Sequence, residues 1–129
     1  PSILKKDGVQ VNDLFDANKE IVSVPEIIKQ MDKIGTSWSK RLMDTSNNSC
    51  TLICQNAGES NRRHYHNDFD EFWFILRGKY IFEIDGVEHT VKDGDFIIVL
   101  RNSIHFMTSL ENGSIRMAVS RADVNHFYT

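Results

Sequence analysis

The chain has 129 residues, 40% of them hydrophobic and 26% charged, with a formal net charge of −3. This is the composition of one soluble globular domain, long enough to bury a real core. Nucleic acid is argued against as a partner, since no basic stripe exists to hold it, and no apolar run is long enough to span a bilayer.

Residues 1 to 20 mix charge with scattered apolar positions. Val9, Val11, Leu14, Phe15 and Ile21 are too many apolar groups for a free tail. This arm is therefore expected to pack against the rest of the fold or against a second copy of the chain. Ser23 and Glu26 then form a capping box, Pro25 sits in the first turn, and Ile27, Ile28, Met31 and Ile34 recur at helical spacing. Gly35 supplies the left-handed stop. The pattern predicts one helix over 24–34, and an arm and helix at 1–35 ahead of a β-domain at 36–129.

Beyond Gly35 the chain reads as short strands divided by turn signals. Strands are predicted at 38–44, 49–55, 71–76, 80–84, 87–91, 96–100, 105–109 and 114–120. Asp85-Gly86 is a tight hairpin turn, and Lys92-Asp93-Gly94-Asp95 is a second turn. With no strand–helix–strand rhythm, the class is all-β, a sandwich or barrel. Cys50 and Cys54 share a strand face but lie about 13 Å apart along it, too far for a local bridge. They read as reduced, buried, small hydrophobes. No secretory leader opens the chain, so the expected compartment is the cytoplasm.

The chemistry concentrates on four residues. His64 and His66, at i and i+2, point to one face of an extended strand. Glu71 starts an otherwise apolar strand, and a carboxylate there is costly to bury unless a cation compensates it. His105, from a neighbouring strand, offers a third imidazole. Imidazoles with a carboxylate suit one divalent transition metal. Taken alone, His64 and His66 would read as surface histidines; the four together are far more specific. Alternation sets His89 with Val87 and Val91, as a packed or rim imidazole, and His126 is expected to be solvated.

The same parity turns Glu71, Trp73 and Ile75 inward and leaves Phe72, Phe74 and Leu76 to pack outward against another layer. Tyr80, Phe82 and Ile84 share one face, and Met107 lies on the side of His105. Trp73, Phe82 and Met107 are thus expected to wall a largely apolar substrate pocket, although each alone could simply fill the core. Arg62 is expected by alternation to face the metal mouth, where a guanidinium could clamp a substrate carboxylate or phosphate. The competing reading is a solvated loop charge paired with Asp68, Asp70 or Glu59. Arg41, Arg101 and Arg116 stand behind Arg62 as candidates of the same kind.

These residues carry a resemblance to the cupin superfamily, whose first motif is G-x5-H-x-H-x3,4-E-x6-G. Gly58, His64, His66, Glu71 and Gly78 occupy every fixed position of it. In the second motif, G-x5-P-x-G-x2-H-x3-N, Gly94 and His105 match, while Leu100, Asn102 and Ser109 replace the proline, the second glycine and the asparagine. Asn102 can still adopt the left-handed conformation that the turn before His105 requires. The resemblance covers roughly residues 50 to 120. It implies a double-stranded β-helix, or jelly-roll barrel, with one N-terminal α-helix.

It also implies a metal held by His64, His66, Glu71 and His105, with Fe2+ expected first and Mn2+, Ni2+ or Zn2+ as alternatives. Four protein ligands leave an octahedral ion two open positions. The leading expectation is an Fe(II)-type dioxygenase acting on a small polar or anionic substrate, with Glu71 and Arg62 as catalytic residues. The alternatives are a metal-assisted sugar or sugar-acid isomerase or lyase, and a non-catalytic small-molecule binding module. Many cupins dimerise through an N-terminal arm, so a homodimer is expected.

Overall fold

Ser23 opens the one helix among the described residues as the capping box requires. Its backbone is extended and its hydroxyl accepts from the Glu26 N–H at 3.3 Å, starting α1 (Val24–Asp32) with Pro25 in the first turn. The helix stops two residues before the expected 34. The N–H groups of Ile34 and Gly35 bond back to Met31 and Asp32 in a tighter turn, and Gly35 takes a φ of +82°. The structure, a computed structural model, describes residues 8–121 and 127–128.

The predicted strands form within a residue or two of their expected ends. They are β2 (Trp38–Asp44), β3 (Ser49–Gln55), β5 (Glu71–Arg77), β6 (Lys79–Ile84), β7 (Val87–Lys92), β8 (Phe96–Val99), β9 (His105–Ser109) and β10 (Ser114–Ser120). β1 (Val11–Asp13) and β11 (Phe127–Tyr128) had no signal of their own, and β4 (His64–Tyr65) is shorter than the extended segment expected through His66. Two or three residues are too few for a period of two to register.

Two sheets result. One has the order β1-β2-β3-β10-β5-β8 and the other β11-β4-β9-β6-β7. Among the described residues they are not joined into one closed hydrogen-bonded cylinder. Between them lies a core of Trp73, Ile75, Tyr80, Phe82, Ile97, Val99 and Met107, drawn from both sheets. This is the all-β jelly-roll architecture expected from the sequence. A second core of Met31, Trp38, Leu52, Cys54 and Ile115 fills the space under α1, on the outer face of the larger sheet. Cys54 is buried there and Cys50 is half-buried, both as free thiols.

Parity holds along β5, where Glu71, Trp73 and Ile75 are buried. Phe72 and Phe74, expected to pack against another layer, are instead 39% and 37% exposed. The helix covers the outer face over β3 and β10 but does not reach this flank; only Leu76 packs against the helix-side core. His89 is exposed rather than packed, because β7 is the edge strand of its sheet. His126 lies outside the described residues. In the N-terminal arm Val9 is fully buried and β1 pairs in parallel with β2, whereas Leu14, Phe15 and Ile21 are exposed.

The turns need their residues. Asp85 and Gly86 both have positive φ, 48° and 84°, which suits a tight primed turn between β6 and β7. Gly78 has φ +91°, and a Cβ there would sit 2.8 Å from the Ser114 Cα. Only glycine lets the β5–β6 turn lie against β10.

Trp38 is fully buried at the centre of the helix-side core, and its Nε1–H donates to Asp32 of α1 at 3.2 Å. Trp38→Ala should therefore lower the unfolding free energy by about 3–5 kcal/mol, measured by urea titration followed by circular dichroism.

Candidate metal centre

His64 and His105 face one another in register across β4 and β9. His66 follows β4, and its carbonyl accepts from the Asn102 N–H at 2.6 Å. Asn102 has a φ of 68°, so the asparagine makes the turn that the sequence asked of it and brings the chain round to His105. The loop ahead of Glu71 is tied to the same turn, because Asp70 accepts from the Arg101 backbone at 2.9 Å. Two short loops thus hold Glu71 and His105 against each other.

The four side chains meet. One donor atom from each of His64, His66, Glu71 and His105 lies within 4.8 Å of all the others, and all four residues are buried. Two ligands across an ion with bonds of about 2.1 Å are about 4.2 Å apart, so the group is close to the span that one cation demands. The ring orientations are set from behind. Nδ1 of His64 lies 2.6 Å from the Arg62 carbonyl, and Nδ1 of His105 lies 2.9 Å from the Ser103 carbonyl. A carbonyl oxygen only accepts, so each Nδ1 carries a proton, and Nε2 is the nitrogen left facing inward, with a lone pair to offer whenever the ring holds that one proton.

That arrangement creates a specific electrostatic demand. Nε2 of His105 is buried without a hydrogen bond and lies 3.5 Å from Oε1 of Glu71. Nε2 of His66 lies 3.0 Å from the same oxygen. A lone pair facing a buried carboxylate oxygen is repulsive unless a cation lies between them. Burial pushes the Glu71 carboxyl up, but the His105 and His66 imidazoles beside it pull it down to about 2. Glu71 is therefore ionised at any ordinary pH. The donor set fits a divalent transition ion.

Beside the cluster a half-open cavity of about 70 Å³ is lined by His64, Glu71, Trp73 and Asn61, and by residues of β2, β3 and β10. Trp73 lies on its wall. Phe82 and Met107 do not: they are fully buried in the core behind it. Arg62 is exposed and lies outside the cavity lining. The alternation that would have aimed it inward fails because the segment before β4 is not a strand. Asn61 is buried there instead, its Oδ1 accepting from the Met107 N–H at 2.9 Å. Arg63 pairs with Glu83 at 2.8 Å, and Arg101 with Asp70 at 3.4 Å.

The residues that the sequence reading missed as cavity lining are Ser49 and Thr51 of β3 and Ser120 of β10. A signal was there. In S-C-T-L-I-C-Q every second position but Ile53 is polar, and in S-I-R-M-A-V-S every second position but Ala118 is polar or charged, so one face of each strand is largely polar.

The model of the cupin domain matches residues 51–120, more than half of the chain. The chain belongs to the cupin family. A relative from Aquifex aeolicus (strain VF5), described as an uncharacterized protein, is 26% identical over 102 residues, covering 78% of this chain and 83% of its own. The pectin degradation protein KdgF of Dickeya dadantii (strain 3937) is 27% identical over 78 residues, covering 59% of this chain and 71% of its own. Among solved structures, a protein with a double-stranded β-helix domain from Klebsiella pneumoniae superposes with a TM-score of 0.68 at 17% identity. That match covers 87% of this chain and all of the other. Among the described residues no helix is long and apolar enough to cross a membrane.

The purified cupin should take up one equivalent of divalent metal, counted by elemental analysis after dialysis. At a metal concentration 100 times the dissociation constant, the ion should add about 2.7 kcal/mol of stability. His105→Ala and Glu71→Gln should each abolish that gain, and acidification should weaken uptake as protons compete for the imidazoles.

Proposed function

We propose that this cupin is a metal-dependent enzyme acting on a small polar substrate, with His64, His66, Glu71 and His105 holding one divalent ion beside the cavity. The observation that carries the reading is the 3.5 Å approach of two lone-pair groups, His105 Nε2 and the Glu71 carboxylate. The adjoining space supports a working site over a closed structural one. When bound, the ion would supply Lewis acidity toward a substrate oxygen. The chain's own residues do the rest. The Arg62 and Ser103 carbonyls keep two imidazoles aimed, Trp73 walls the cavity, and Ser49, Thr51 and Ser120 offer hydroxyls to a hydroxylated substrate.

Isomerisation or lyase chemistry on a sugar or sugar acid is the reading we place first. The name of the Dickeya relative, which ties that protein to pectin degradation, supports it, as do the cavity hydroxyls. An iron dioxygenase remains the second reading, supported by the three-histidine, one-glutamate donor set. The test is turnover of a panel of small sugars and sugar acids by protein loaded with Fe2+, Mn2+, Ni2+ or Zn2+, followed by NMR with and without oxygen. We expect turnover that needs metal, survives strict anaerobiosis and persists with zinc. Oxygen consumption in step with product would shift the assignment to the dioxygenase, and no turnover with any metal would end the enzyme reading.

A homodimer belongs to the same proposal, with its support at a different place from the arm. Phe72 and Phe74 of β5 pair with Ile98 and Phe96 of β8, all four exposed on one face beside the sheet edge. A contiguous apolar patch of this kind marks an interface. Sedimentation equilibrium should give a dimer mass that Phe74→Glu reduces to the monomer's, and a monomeric parent at micromolar concentration would count against it.

A further inference from the structure

The larger sheet turns its polar side chains inward, and one of them is an arginine. In the register of β10, Arg116 lies opposite Ile53 of β3 and Ile75 of β5, and Ala118 lies opposite Thr51 and Trp73. Arg116 therefore shares the inner face with Glu71 and Trp73, and it lines the same cavity as His64 and Glu71. It is only 1% exposed. Its guanidinium sits 5.1 Å from the Trp73 ring centroid and 5.5 Å from that of Tyr80. Nη1 donates to the Gln55 side-chain carbonyl, but Nε is buried without a partner, and no carboxylate among the described residues balances the charge. The indole Nε1–H of Trp73, on the neighbouring strand, is also buried without a partner.

Two unsatisfied donors on adjacent strands, one of them fully charged, leave an acceptor missing from this wall. Arg41 also lines the cavity but is already engaged, by Thr51 at 2.8 Å and Asp44 at 3.3 Å. We infer that Arg116 anchors a carboxylate of the substrate, so that the substrate is a small acid lying between Arg116 and the four metal donors. A buried guanidinium beside two rings presents a fixed, planar set of N–H groups, which matches a carboxylate better than a neutral hydroxyl. The cavity, about 70 Å³, has room for about two or three waters at roughly 30 Å³ each. A short acid, or the acidic end of a longer one, fits that space. The inference refines the metal-enzyme proposal by naming the substrate class, but the anion site itself stands on Arg116 and Trp73 alone.

The experiment uses the full chain, metal-free and metal-loaded, titrated calorimetrically with glycolate, pyruvate and glycerate. Glycolamide and glycerol serve as neutral counterparts. We expect the acids to bind in preference to the neutral probes, and Arg116→Met to weaken the acids about ten- to hundredfold while leaving metal stoichiometry at one. Arg116→Lys should restore part of the loss. Gln55→Glu keeps the arginine and gives it an internal carboxylate, so it should suppress acid binding in a protein whose melting temperature is maintained. Acid affinity that is the same in Arg116→Met and Gln55→Glu as in the parent would overturn the inference, even with metal bound normally. Arginine-dependent acid binding in a protein that takes up no metal would support the anion site and overturn the metal reading instead.

Discussion

The structure is organised around a buried carboxylate facing imidazole lone pairs. Glu71 begins a strand whose inward neighbours are Trp73 and Ile75, so water is largely excluded from its charge. His64 and His105 are locked by backbone carbonyls into the tautomer that presents an acceptor to it. A proton can satisfy one imidazole–carboxylate pair, whereas a single divalent ion satisfies all four groups at once. The hydrogen bonds behind the rings matter as much as the rings themselves, because they decide which nitrogen is available.

Around this centre the fold distributes polarity in an unusual sense for a sheet sandwich. The larger sheet puts Leu52, Cys54 and Ile115 on its outer face, where α1 covers them. Its inner face carries Ser49, Thr51, Gln55, Arg116 and Ser120. The inside of the jelly roll is thus divided. An apolar half built on Tyr80, Phe82 and Met107 gives rigidity, and a polar half next to the histidines leaves space. The helix makes that division affordable, since it supplies a second hydrophobic core outside the roll and frees interior positions for chemistry.

Much of this was legible in the residues. The cupin motif spacing, the capping box at Ser23 and the turn at Asp85-Gly86 all rest on interactions between residues close in sequence. Each therefore leaves a local signature, and the strands from β2 to β10 share that legibility, apart from the two-residue β4. Parity along β5 told which side chains face inward, and the departure at Asn102 was readable because few residues tolerate its backbone conformation.

What needed the folded chain was everything that depends on which strands are neighbours. On paper Arg62 ranks ahead of Arg116; the pairing of β10 between β3 and β5 puts Arg116 inside, and Arg62 stays on the surface. Likewise Phe72 and Phe74 alternate as core residues do, yet nothing in their own segment says whether a helix will cover them. Sequence determined the elements and the identity of the metal donors' face, because these follow from local periodicity and backbone stereochemistry. Tertiary structure decided the walls of the cavity and the bare flank, because sheet order and layer coverage are set by contacts between residues far apart along the chain.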